Sequence, residues 1–174
     1  MTEENRMMDP PAGWRENRSM LHLNTVQIAS SGGYPEKPIY DDNMEFSDEV
    51  IEAMYWFKKN CKYSDGSENR RQGMNILINA LATAYNLPPP ELKFVDSGEE
   101  HSFTSNYSPI NKKITLWGKL SLITLLHEFG HFMGMDENDA VEWSVSLFKR
   151  VYPKAYERLT PQGHCLVQGG VDNG

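Results

Sequence analysis

The sequence predicts an α+β fold: two N-terminal helices, a small three-stranded sheet, then two further helices. Three observations carry this. Apolar residues recur at helical spacing over 47–61 and 69–85. From 92 to 117 the pattern changes to short runs rich in β-formers, separated by turn residues. After 120 a strongly apolar helical stretch appears, followed by an acid-headed one. The 174 residues suit one domain with a loose arm, long enough to bury a core without disulfide staples.

The arm is residues 1–45, which mix Pro10, Pro11, Gly13, Gly32, Gly33, Pro35 and Pro38 with charges. Within it, Leu21 to Ile28 alternates apolar and polar residues and reads as a short edge strand. The domain proper is expected over 46–160. Its first helix starts at Ser47, a good N-cap, with Asp48 and Glu49 favourable in the first turn. Val50, Ile51, Met54, Phe57 and Cys61 form its apolar stripe, and Ser64-Asp65-Gly66-Ser67 breaks it. The second helix runs from about Asn69 to Tyr85 over Met74, Leu77, Ile78 and Leu81, and Pro88-Pro89-Pro90 ends it.

Strands are expected at Leu92–Val95, Ser102–Tyr107 and Lys113–Trp117, the last two joined by a turn at Pro109 and Asn111. Leu120 to Leu126 then leads into His127-Glu128-Phe129-Gly130-His131. A last helix spans about Glu137 to Tyr152, stopped by Pro153, and 161–174 reads as a flexible glycine-rich tail.

Composition narrows the partners. A net charge of −7, with only short basic pairs such as Arg70-Arg71 and Lys112-Lys113, gives no footprint for nucleic acid. No apolar run approaches a membrane-spanning length, and Met1–Arg6 is polar without an apolar stretch behind it. The expectation is a cytoplasmic protein, with Cys61 and Cys165 as reduced thiols.

The His127–His131 spacing carries chemistry. Residues four apart lie on one helix face, so both imidazoles can turn toward one metal. Zinc takes imidazole nitrogen at about 2.0–2.1 Å and prefers four ligands. Glu128, beside the first histidine, has the position of a general base that takes a proton from metal-activated water. Histidines and a glutamate at the end of an apolar helix are costly to desolvate unless a cation compensates them. Gly130 between them has two readings: close packing against a neighbouring element, or room beside the metal.

Gly134 suits the left-handed residue that ends a helix, turning Asp136, Glu137, Asn138 and Asp139 back toward the metal. A catalytic site needs a third protein ligand. Glu137 is favoured: it lies ten residues after His127, where the metzincin pattern has its third histidine, although no Met-turn follows. Asp136 and Asp139 are alternative ligands, and Glu142 is a further candidate. Helix-start chemistry is the other reading of these acids, with Asp136 as the N-cap.

The segment from Phe103 to Pro153 resembles the zincin superfamily, and within it the ImmA/IrrE-type metallopeptidases. Ile110-Asn111-Lys112-Lys113-Ile114-Thr115-Leu116 looks like that family's edge strand, Leu125 to His131 like its active helix, and Glu137-Asn138-Asp139-Ala140 like its E-x-x-A helix. The stretch between His131 and Glu137 is shorter than the family's. The resemblance implies a minimal zincin-like fold, a zinc-dependent endopeptidase activity, and Glu137 as third ligand. It also implies a protein or peptide substrate bound as an extended strand alongside Lys113–Trp117.

Stabilising charge on a scissile carbonyl calls for a donor besides zinc. Tyr152, Tyr156 and His164 are candidates. Two rival functions are a regulatory binding protein that keeps the fold without turnover, and a non-peptidase zinc hydrolase.

Overall fold

Ser47 opens the first helix by accepting a hydrogen bond from the Val50 N–H at 3.4 Å. This computed structural model describes residues 43–96, 105–118, 120–162 and 165–168. Helix α1 spans Asp48–Asn60 and buries Val50, Met54 and Phe57. A 3₁₀ turn at Tyr63–Asp65 follows, and α2 runs over Ser67–Ala84. The expected stripe Met74, Leu77, Ile78 and Leu81 is buried on α2. Asn86, at φ 55°, closes α2 before the prolines. The N–H groups of Asn86 and Leu87 turn back to the carbonyls of Thr83 and Ala82 at 3.0 and 2.8 Å.

Three strands form one sheet: β1 (Glu91–Val95), β2 (Asn106–Ser108) and β3 (Lys113–Trp117), in the order β1-β3-β2. β1 runs parallel to β3, with Leu92 opposite Ile114, and β2 runs antiparallel to it, with Tyr107 opposite Ile114. This corrects one expectation. Lys113–Trp117 is the central strand and has no free edge; the short strand β2 is the edge on that side. Ile114 and Leu116 explain it, since both are fully buried, which suits an inner strand. The described part of the second expected strand is Asn106–Ser108; residues 97–104, where its expected start at Ser102 falls, lie outside the described part.

Helices α3 (Leu122–Phe132) and α4 (Glu137–Val151) pack against each other, and α3 also packs on β2 and β3. A short α5 (Pro153–Glu157) and an antiparallel hairpin, β4 (Leu159–Gln162) with β5 (Cys165–Gln168), follow. The hairpin carries regular structure past the expected domain end at 160 into the segment read as a flexible tail. Likewise Met44, assigned to the arm, is buried, and its carbonyl accepts from Arg150 at 3.2 Å. The expected strand at Leu21–Ile28 and most of the arm lie outside the described residues.

Arg70 is the unexpected buried charge. One of the short basic pair Arg70-Arg71, it is 5% exposed. Its Nε donates to the Leu120 carbonyl and its Nη1 to the Cys61 carbonyl, both at 2.8 Å, and its guanidinium stacks on Tyr63 at 3.6 Å. Tyr63 Oη donates to the same Leu120 carbonyl at 3.0 Å. The chain just before α3 is thereby tied to the end of α1. Cys61 is a free, buried thiol. Among the described residues no helix is long and apolar enough to cross a membrane.

Candidate metal centre

Ser121 caps α3, its hydroxyl accepting from the Thr124 N–H at 3.3 Å. The helix is strongly apolar up to Leu126 because Leu122, Leu125 and Leu126 enter the core. His127 and His131 then share one face one turn apart, half-buried at 21% and 25% side-chain exposure. Glu128 points to the buried side and is 6% exposed.

The helix stops where the sequence places its glycine. Gly134 has φ 88°, its N–H bonds to the His131 carbonyl at 2.9 Å, and the Met135 N–H bonds to the Gly130 carbonyl at 3.0 Å. This pair of bonds is the Schellman closure. Two residues later Asp136 caps α4, its Oδ1 accepting from the Asp139 N–H at 2.9 Å. One left-handed turn and one N-cap therefore suffice to reverse the chain. That is how the short link from His131 to Glu137 returns the glutamate to the histidines.

Gly130 makes the return tight. A Cβ there would lie 3.0 Å from the Ala140 Cβ and 3.1 Å from the Ala140 Cα. The packing reading of Gly130 holds: two small residues let α4 cross close to α3, with Glu137 one turn before Ala140.

Three ligand-type side chains converge, with Glu137 meeting the two histidines through different carboxylate oxygens. His131 Nε2 lies 3.1 Å from His127 Nε2 and 3.2 Å from Glu137 Oε2, and His127 Nε2 lies 3.4 Å from Glu137 Oε1. Ligand atoms around one metal ion bound at about 2.0–2.1 Å lie about 3.3–3.4 Å apart, and these separations are of that size. Protonation sharpens the point. His131 Nδ1 lies 3.1 Å from the Met135 carbonyl, which can only accept, so Nδ1 carries a proton and Nε2 is the nitrogen turned to the cluster. Nε2 and the Glu137 carboxylate, 3.2 Å apart, need a proton or a metal cation between them. Burial lowers the pKa of His127, with Glu137 opposing and His131 adding to that effect, which favours the neutral, ligand-competent ring. These residues can hold a metal ion.

Glu128 stands beside the trio without joining it. Burial pushes its carboxyl up to about 7, against the lowering effect of His131 and of the Tyr107 backbone N–H, and Glu137 adds to the rise. Such a group exchanges protons near neutral pH.

Of the other candidate ligands, Asp136 is engaged as the N-cap, while Asp139 and Glu142 are buried on α4. Neither they nor Asp136 belong to the metal-type cluster found among the described residues. Tyr152 is a correction. It follows the far end of α4, whose 15 residues place it roughly 22 Å along the helix from Glu137 at ~1.5 Å per residue. Its ring stacks on Phe148 at 5.0 Å under Lys58, and burial raises its hydroxyl pKa. Tyr156 is buried on α5, beyond the same end. His164 lies outside the described residues, as do His22 and His101. Trp143 and Phe148 belong to the core, as their spacing suggests.

Two contributors escaped the sequence reading, the Met135 carbonyl and the Tyr107 N–H. Both act through the backbone, which leaves no residue-type signal. The position of Met135, just after the helix-ending glycine, was the available clue. Comparison of the chain with known protein families, curated proteins and solved structures finds no match.

Proposed function

We propose that the protein is a zinc-dependent metallopeptidase in which His127, His131 and Glu137 hold the metal and Glu128 is the general base. The observation that carries this reading is the convergence of three ligand-type side chains at 3.1–3.4 Å beside a buried carboxyl whose pKa is raised to about 7. Zinc, when bound, would supply Lewis acidity toward a carbonyl oxygen and draw the pKa of water toward neutrality. Two imidazoles and a carboxylate also suit ferrous iron; the adjacent buried base favours hydrolysis over redox chemistry. The Glu128 carboxylate takes a proton from the attacking water and delivers it to the departing amine nitrogen. The Tyr107 N–H, facing that carboxylate, favours its ionised form before the proton is taken.

A peptide substrate lies extended along β2, the strand next to Glu128, and not along β3, whose two edges are occupied. The test is digestion of an unfolded protein and a mixed peptide library by zinc-loaded protein. Wild type is expected to cut internal peptide bonds. Glu128→Gln is expected to keep its zinc and lose cleavage by a factor of about 10² or more. Zinc-loaded wild type that cleaves nothing, like the variant, would instead favour a binding protein. Cleavage of small esters or amides but no peptide would favour another zinc hydrolase.

A further inference from the structure

Beside Glu128 an aromatic ladder climbs from the core to the surface. Phe129 is fully buried, Phe132 packs on it at 5.3 Å between ring centroids, and Tyr107 meets Phe132 edge-on at 5.7 Å. The upper two rungs are only half-buried. Both flank the base: Phe132 follows Glu128 by one helical turn, on the same side of α3, and the Tyr107 N–H faces the Glu128 carboxylate. Tyr107 also lies opposite the buried Ile114, so its side chain is on the α3 side of the sheet.

An N–H turned toward Glu128 points away from β3. Ladder alternation then turns the Tyr107 carbonyl outward as well, to the side where β2 pairs with no described strand. A chain lying along that edge therefore passes the two rings next to the base. Burial raises the Tyr107 hydroxyl pKa, and no hydrogen bond to that hydroxyl is found among the described residues. This wall offers an incoming side chain apolar surface and ring edges, with no fixed charge of its own.

We infer that Tyr107 and Phe132 are specificity-determining residues, forming the wall against which a large apolar or aromatic side chain of the substrate packs beside the scissile bond. This rests on the hydrolase reading above, and it adds which peptide bonds are chosen.

The test is cleavage-site profiling of a peptide library by the zinc-loaded protein, for wild type, Phe132→Ala, Tyr107→Ala and Tyr107→Phe, with zinc content measured for each. Wild type is expected to enrich bulky apolar residues at one position next to the cut. Phe132→Ala and Tyr107→Ala are expected to lose at least tenfold of that preference through KM, with zinc retained and slow cutting of other sites preserved. Tyr107→Phe, which keeps the ring, is expected to retain the preference. Should either alanine variant fail to fold, Phe132→Leu and Tyr107→Leu keep apolar bulk and are expected to shift the choice from aromatic to aliphatic residues. Cleavage without side-chain preference, or a preference unchanged in all variants, overturns the wall and leaves the hydrolase reading intact. Zinc-loaded wild type that cuts nothing overturns both.

Discussion

At the residue scale, Glu128 sets the chemistry and also carries a cost. A carboxyl that ordinarily titrates near 4.5 is raised to about 7 in the fold, chiefly by burial. In the metal-free protein the folded state therefore holds a proton between those values that the unfolded chain has released. The penalty is absent below about pH 4.5, grows through the interval, and is complete above about pH 7. Glu128→Gln removes the ionisable group. In metal-free protein, urea denaturation should find the variant more stable than wild type at pH 8, by on the order of 1–3 kcal/mol. The gap should close toward pH 4.5. A constant difference across pH would mean that Glu128 does not titrate high. Its identity was legible from its place after His127. Its burial followed from the apolar turns before it, whereas the backbone groups that tune it were not legible.

At the element scale, the site is made by how α3 ends and how α4 begins. Gly134 and Asp136 were readable because caps have strong residue preferences with known physical causes, whereas the Ser121 cap was passed over inside an apolar run. The short span from His131 to Glu137 looked anomalous beside the resembling family. It is sufficient here because a Schellman closure runs directly into an N-cap, with Gly130 letting Ala140 approach. Gly130→Ala puts a methyl 3.0–3.1 Å from Ala140, so α4 must give by a few tenths of an ångström. Glu137 is expected to move with it. The predicted outcome is about tenfold weaker zinc binding in a competition titration, with the circular dichroism spectrum unchanged. Unchanged affinity would show that the α3–α4 approach does not govern the site. The sheet was less legible. Periodicity found the strands but not their order, because the inner position of β3 depends on β1 pairing parallel to it across a long connection.

At the scale of the whole molecule, the site helix is anchored at its start, about two turns before His127. Arg70 links the Cys61 and Leu120 carbonyls, and so joins the end of α1 to the start of α3. Its burial was not legible, since nothing in Asn69-Arg70-Arg71 distinguishes a buried guanidinium from an exposed one. Arg70→Ala leaves two carbonyls without this donor and should destabilise by about 2–4 kcal/mol in urea denaturation. Arg70→Lys should recover little, because an ammonium lacks the planar fork that reaches both carbonyls. Destabilisation under ~0.5 kcal/mol would show that the anchor is dispensable.

A zinc titration against a chromophoric chelator tests the metal centre most directly. The account predicts one equivalent of zinc per chain for wild type. Binding should be lost in His131→Ala and Glu137→Ala while helix content is preserved. Asp136→Ala should bind near wild-type affinity, losing only about 1 kcal/mol of stability from its missing cap. Undiminished zinc binding in His131→Ala and Glu137→Ala, or none in wild type, would contradict the account.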